Sequence, residues 1–216
     1  MSAGVEPGRK RFISEQALLE DAYRLAVAIY QSGFRPDFIV GIWRGGSTVG
    51  IYVQECLQYL GVETDHIAIR TSYRGMERYL TDRDHPESIR VHGIQYLLET
   101  MNRDDALLIV DDVFATGQNV DALIRRLSSK AKRNMPADVR LAMPFYKPSD
   151  NRTGRVPDFY LHETEDWLVL PYEITGLSRE EIAAHKPWLI PILDSCSGAD
   201  SASATKPLLS PGSGER

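Results

Sequence analysis

Two adjacent carboxylates, Asp111 and Asp112, close a short apolar run in the stretch LLIVDDVFATGQNVDALIRRL, Leu107 to Leu127. A small-residue turn follows them, and a helical pattern begins after it. The free backbone N–H groups of a helix N-terminus make an anion site there. Ala115 and Gly117 let the backbone come close to a ligand, while Thr116 and Asn119 add side-chain donors. A monophosphate fits this cup. The carboxylates are unsuited to the phosphate and suited to two neighbouring hydroxyls, such as the 2- and 3-hydroxyls of a ribose carrying that phosphate. Taken alone, the same residues also describe two solvated carboxylates ahead of a capped helix. The stretch is not a Walker A loop, because GxxxxGK[ST] is missing.

Two more turns carry similar chemistry. In WRGGS, Gly45 and Gly46 let amides point at a ligand and Arg44 offers a bidentate fork for phosphate. In TSYRG, Ser72, Tyr73 and Arg74 open a long charged stretch that could close over a reactive phosphate and exclude water.

These turns need elements to hold them. SEQALLEDAYRLAVAIYQSGF reads as a helix with Leu18, Ala22, Leu25 and Ile29 on one face, Ser14 as N-cap and Gly33 as stop. PDFIVGI reads as a buried strand. The next helix carries Val49, Val53, Cys56 and Leu60 on one side and stops at Gly61. TDHIAIR is a second strand, and VHGIQYLLETM a strand end running into a short helix. The stretch to Asp111 is a strand, and Val120, Leu123, Ile124 and Leu127 line the helix after the cup. DVRLAMPFY, DFYLH and WLVLPYEI are further strands. Such alternation predicts an α/β fold, a mostly parallel central sheet with helices on both faces. Ligands bind beyond the carboxyl ends of such strands, so the three turns should meet on one rim.

The 216 residues suit one sizeable domain, expected over 12–195, with a disordered tail over 196–216 rich in Ser, Ala, Gly and Pro. A net charge of -5 disfavours a general nucleic-acid surface. RRLSSKAKR, from Arg125 to Arg133, is the best basic patch, and it reads as a helix C-terminus. Two cysteines cannot build a disulfide framework, which points to a reduced, cytoplasmic setting. MSAGVEPGRKRFIS has no apolar signal core, and no apolar run is long enough to span a membrane.

From about Phe12 to Ile182 the sequence resembles the type I phosphoribosyltransferases, and within them it looks closest to the bacterial hypoxanthine and xanthine–guanine enzymes. LLIVDDVFATGQN matches their 5-phosphoribosyl-1-diphosphate signature, IWRGG resembles their pyrophosphate loop and TSYRG their flexible loop. The resemblance implies that family's fold, including a small hood subdomain. It implies Arg44, Asp111 and Asp112 as catalytic residues, with Asp111 and Asp112 on the ribose hydroxyls. Ala115, Thr116, Gly117, Gln118 and Asn119 would hold the 5-phosphate, and Arg44, Gly45, Gly46, Ser72, Tyr73 and Arg74 the pyrophosphate. FYKPSDNRTG resembles the segment whose lysine recognises a purine 6-oxo group, here Lys147. DWLVLPYE resembles the segment whose aromatic residue stacks on the base, here Trp167, with the Leu168 backbone at the exocyclic edge. Glu173, with Asp111 and Asp112, falls where the family has carboxylates near Mg2+ and its waters. The family further implies 5-phosphoribosyl-1-diphosphate and a purine-like base as partners, a homodimer or homotetramer, and a cis peptide between Trp43 and Arg44.

The pattern departs from the family at two positions. Asn119 stands where Thr or Ser is usual. Ala115 stands where 6-oxopurine enzymes place an aspartate beside N7 of the base, a proposed general base. Adenine-specific relatives carry Ala there, without the lysine and tryptophan. A 7-deazaguanine would reconcile Lys147 with Ala115, because it keeps the 6-oxo group and has carbon in place of N7. Loss of that aspartate with retention of the cup also leaves open a non-catalytic, ligand-sensing regulator of the same fold.

Overall fold

The computed structural model describes residues 10–72 and 89–197. Its centre is a seven-stranded sheet built from β2 (Phe38–Trp43), β3 (Asp65–Ser72), β4 (Arg90–His92), β5 (Ala106–Val110), β6 (Val113–Phe114), β7 (Asp138–Tyr146) and β8 (Phe159–Glu163). The order is β4-β3-β2-β5-β7-β6, with β8 on the other side of β7. All pairings in this sheet are parallel except β3 with β4. β5, ALLIV, has its last four residues buried, as a strand covered on both faces requires.

Side chains alternate across that sheet. Val40, Ile42, Leu107, Ile109, Leu141 and Met143 point to one face, where they pack with residues of α3 (Gln95–Thr100) and α4 (Gln118–Ala131). The other face carries α1 (Glu15–Gln31) and α2 (Gly45–Tyr59), which pack on each other; α2 lies on β2, β3 and β5 and α1 on β7 and β8. α1 buries Leu18, Ala22, Leu25 and Ile29 as the periodicity predicts. Ser14 caps it by accepting from Ala17 N–H at 3.1 Å, a contact of about 1 kcal/mol.

The apolar side of α2 differs from the expectation. It runs Val49, Val53, Leu57, while Cys56 and Leu60 are only half-buried. Leu57, one residue after Cys56, takes the buried position instead. Partial burial pushes the Cys56 thiol pKa up, so it is a poor thiolate. On α4, Ile124 is half-buried and Ala122 joins the buried face instead.

A separate two-stranded sheet pairs β1 (Lys10–Phe12) with β9 (Trp167–Val169) in parallel. The hood expectation falls on this piece. WLVLPYEI therefore yields a three-residue strand outside the main sheet. The chain divides into two compact units, Met1–Pro171 and Tyr172–Arg216. The second unit contains α5 (Arg179–His185), opened by a Ser178–Glu181 capping box, and α6 (Leu189–Ser197). Arg179 holds Asp194 at 2.6 Å between them. Tyr73 and Arg74 lie outside the described residues. α6 takes in the first two residues of the expected tail, and the rest of it also lies outside them.

Candidate active site

β2 neighbours β3 on one side and β5 on the other, so the chain changes winding direction between β2 and β5. The crevice beyond their carboxyl ends is the usual ligand position in such a sheet. WRGG leaves β2 and DDVFATG leaves β5 at this crevice.

The second turn forms a cup of about 250 Å³, lined by Asp111, the run from Val113 to Val120, and Ser149, Asp150 and Arg152. Gly117 is its hinge. It caps α4 in the left-handed region at φ 73°, and a Cβ there would stand 2.6 Å from both Phe114 Cζ and Thr153 Oγ1. Thr116 Oγ1 accepts from Gln118 N–H at 3.3 Å, and Thr116 carbonyl accepts from Arg152 N–H at 3.1 Å. The Lys147 N–H donates to Phe114 carbonyl at 2.9 Å. The segment 147–153 is thus tied to the cup by its backbone. Asn119 Oδ1 is buried with no hydrogen-bond partner among the described residues. An anion in the cup would select the opposite amide orientation, with Nδ2 donating.

Asp111 links this turn to the other anion turn. Its carboxylate accepts backbone hydrogen bonds from Gly46 and Asp112, the latter at 3.0 Å. Removal from bulk water, followed by repulsion from Asp112, pushes its pKa well above the usual carboxylate range. Asp112 Oδ1 accepts from Val113 N–H at 2.7 Å. A Cβ on Gly46 would lie 2.3 Å from Val110 carbonyl oxygen, so only glycine lets α2 start this close to the end of β5. Gly45 and Gly46 occupy the first turn of α2, and the Trp43–Arg44 peptide is cis, as the resemblance implies. Ser72 ends β3, where its hydroxyl lies 3.2 Å from His92 Nε2.

Lys147 opens the segment tied to the cup, and Trp167 opens β9 further along the chain. Lys147 is largely buried, and its Nζ pairs with Asp150 Oδ2 at 2.9 Å. Ser149 hydroxyl donates to Glu165, and Thr164 N–H donates to Tyr146 carbonyl at 3.0 Å. These bonds join the lysine turn to the turn ahead of β9. Trp167 opens β9 and is 56% exposed, while Leu168 pairs in register with Arg11. An indole this open has a free apolar face.

Among the described residues no group of three or more His, Cys, Asp or Glu could hold a metal ion. Two adjacent carboxylates fit Mg2+ that arrives on a diphosphate and keeps its waters, and they do not fit a protein-built cage. Glu173 belongs to the second unit. There its charge favours the protonated form of Lys186, whose pKa burial nonetheless lowers. Sequence reasoning missed Ser149, Asp150 and Arg152 as cup residues. Their signal was present: they sit in FYKPSDNRTG, already singled out for Lys147.

Comparison with known proteins supports the same identification. The model of the phosphoribosyl transferase domain matches residues 10–173. No curated protein matches the chain by sequence. Among solved structures, a purine phosphoribosyltransferase from Pyrococcus horikoshii is 23% identical with a TM-score of 0.57, covering 79% of this chain and 98% of its own. A hypothetical protein from Neisseria gonorrhoeae with bound ppGpp is 17% identical with a TM-score of 0.61, covering 85% and 97%. The xanthine-guanine-hypoxanthine phosphoribosyltransferase of Helicobacter pylori is 17% identical with a TM-score of 0.56, covering 77% and 95%. These likenesses show a shared fold, and the domain match spans most of the chain. The chain belongs to the phosphoribosyl transferase domain family.

Proposed function

We propose that the chain transfers the 5-phosphoribosyl group from 5-phosphoribosyl-1-diphosphate to N9 of a 6-oxopurine, hypoxanthine or guanine, releasing pyrophosphate. The observation that carries this reading is Asp111. One half-buried carboxylate touches the Gly46 amide of one anion turn and lines the cup of the other. A donor with a phosphate at one end and a diphosphate at the other needs two such turns, with an acceptor for its hydroxyls between them.

In this reading the amides and side chains of Ala115 to Asn119 hold the 5-phosphate, and Arg152 adds a cation to the same cup. Asp111 and Asp112 accept from the ribose hydroxyls. Arg44, Gly45 and Gly46 hold the diphosphate, and the family resemblance adds Ser72, Tyr73 and Arg74 to them. Asp111 and Asp112 would lie beside the waters of a Mg2+ ion carried on the diphosphate, and that ion would supply positive charge for the leaving group. Lys147 donates to the 6-oxo group, Trp167 stacks on the ring and the Leu168 backbone meets the exocyclic edge. The protein's part is positioning and charge stabilisation of a sugar that becomes cationic as the diphosphate leaves. The reading extends to a homodimer or homotetramer in the cytoplasm. Exposed Tyr23, Val27, Ile51 and Tyr59 on α1 and α2 support a partnered face. No helix among the described residues is long and apolar enough to cross a membrane.

The small Ala115 side chain in the cup favours a second base, a 7-deazaguanine, whose 7-substituent would use that space. Pyrophosphate release with hypoxanthine, guanine, adenine and 7-cyano-7-deazaguanine separates the readings. Turnover of the first two supports a 6-oxopurine enzyme. A preference for the deazapurine supports the second base. Donor binding without turnover of any base makes the chain a ligand-sensing regulator instead.

A further inference from the structure

We infer that Asp150 and Lys147 together form the base-recognition pair, with Asp150 accepting the N7 proton of the 6-oxopurine as N9 is alkylated. This rests on the phosphoribosyl-transfer reading and names the group that handles the base. The chemistry starts from N9. Its lone pair can attack C1 of the sugar only when the imidazole proton sits on N7. In that tautomer the ring edge shows an acceptor, O6, beside a donor, N7–H. A lysine beside a carboxylate presents the complementary order, donor then acceptor.

The structure builds that pair. Lys147 Nζ lies 2.9 Å from Asp150 Oδ2. An ammonium has three donors, so one can hold Oδ2 while another meets O6. Oδ1 remains for N7–H. Asp150 lines the same cup as Ala115, and its side chain is 47% exposed and open to a ligand. Its position is fixed from both sides. The turn Pro148–Asp150 closes with Asp150 N–H donating to Lys147 carbonyl at 3.2 Å, and Lys147 N–H is bonded to Phe114 carbonyl at the cup. Ala115 adds no carboxylate of its own here, so Asp150 meets the ring edge without a like charge from that position.

The step balances. The N9–C1 bond forms, the C1–O bond to the diphosphate breaks, and the electron pair leaves on pyrophosphate. The N7 proton passes to the Asp150 carboxylate, its bonding pair stays in the imidazole ring, and the proton is then released to water.

The test uses the full chain with Mg2+, the phosphoribosyl donor and hypoxanthine. Asp150→Asn keeps the shape and loses the base. It should lower kcat about 100-fold, with the donor KM unchanged, as loss of a general base does. Ala115→Asp in the Asp150→Asn background should restore at least about tenfold, since a carboxylate then returns to the cup from the other side. As a binding control, 7-deazahypoxanthine has no nitrogen at position 7, so it should inhibit wild type and Asp150→Asn equally. Turnover of Asp150→Asn within about threefold of wild type, absence of rescue, or an equal loss of deazapurine affinity each overturns the inference and leaves the transferase reading standing. A wild type that turns over none of hypoxanthine, guanine or xanthine overturns both.

Discussion

The two ends of the cleft are made from different materials. The cup is backbone: amides of an α-helix start, a left-handed glycine, and two main-chain bonds from the 147–153 segment. The proposed base end is side chain: an ammonium paired with one carboxylate and an indole standing open to water. A phosphate is the same in every phosphoribosyl donor, so a fixed amide cup suits it. Bases differ at their edges, and long side chains on a turn can change without rebuilding the sheet. Substitutions in the cup should therefore disturb folding and catalysis together, while those at the base end should change specificity in an intact protein.

The carboxylate pair should show the largest effect. Asp111→Asn with Asp112→Asn removes the proposed acceptors for both hydroxyls and should lower kcat/KM by more than about a thousandfold. Stability should move the other way. The Asp111 pKa in the fold is raised, chiefly by desolvation. The folded chain then binds that proton more tightly than the unfolded chain, and the benefit is lost as pH rises through the folded value. At neutral pH the ionised Asp111 works against folding, so Asp111→Asn should melt higher than wild type, and the gap should close in acid. A variant with near-wild-type rates, or one that melts lower at neutral pH, breaks this assignment.

Gly117→Ala comes next and tests the cup as a packed object. It places a Cβ at positive φ and 2.6 Å from Phe114 and Thr153. Left-handed strain and overpacking together cost roughly 2–4 kcal/mol. The melting temperature should fall and the donor KM should rise by about a hundredfold, with the base KM little changed. Equal melting temperatures would show that the cup is plastic.

The sequence made the cup legible because it is local. Strand, acidic pair, small residues and helix start follow one another, so spacing alone describes the geometry. The base end was legible only in part. Lys147 and Trp167 were proposed through family resemblance, but the Lys147–Asp150 pair depends on a single 3₁₀ turn that has no hydrophobic period. β6 is two residues long, too short to carry alternation, yet it aims the segment that ties down Lys147. α5 and α6 were missed because short helices give few periods to count. Cys56 is only half-buried on α2 because Leu57 holds the fully buried position beside it.

Lys147→Ala should leave the melting temperature within a few degrees, since the lysine pairs with a half-exposed carboxylate. The base KM should rise by about ten- to a hundredfold for hypoxanthine and guanine, the scale of one lost charged hydrogen bond. The donor dissociation constant should stay the same, which separates the two ends of the cleft. Wild type should reject adenine, because an ammonium cannot accept from a 6-amino group. Adenine turnover equal to that of guanine would remove Lys147 from base recognition.

Trp167 should give the smallest effect and the cleanest separation of the two regions. Its ring is 56% exposed, so truncation takes little buried area from the fold. The backbone of β9, paired with β1 through Lys10, Arg11 and Phe12, does not depend on the ring. Stacking of one base on an aromatic side chain contributes about 1–3 kcal/mol, so Trp167→Ala should raise the base KM by about tenfold. Trp167→Phe keeps a flat apolar face and should stay within about threefold of wild type. Neither variant should change the donor dissociation constant or the melting temperature. Calorimetric titration of the nucleotide product into both variants measures this directly. If Trp167→Ala binds the product as tightly as wild type, the open indole does not meet the base. The base end would then consist of the Lys147 turn alone, much closer to the cup in its construction.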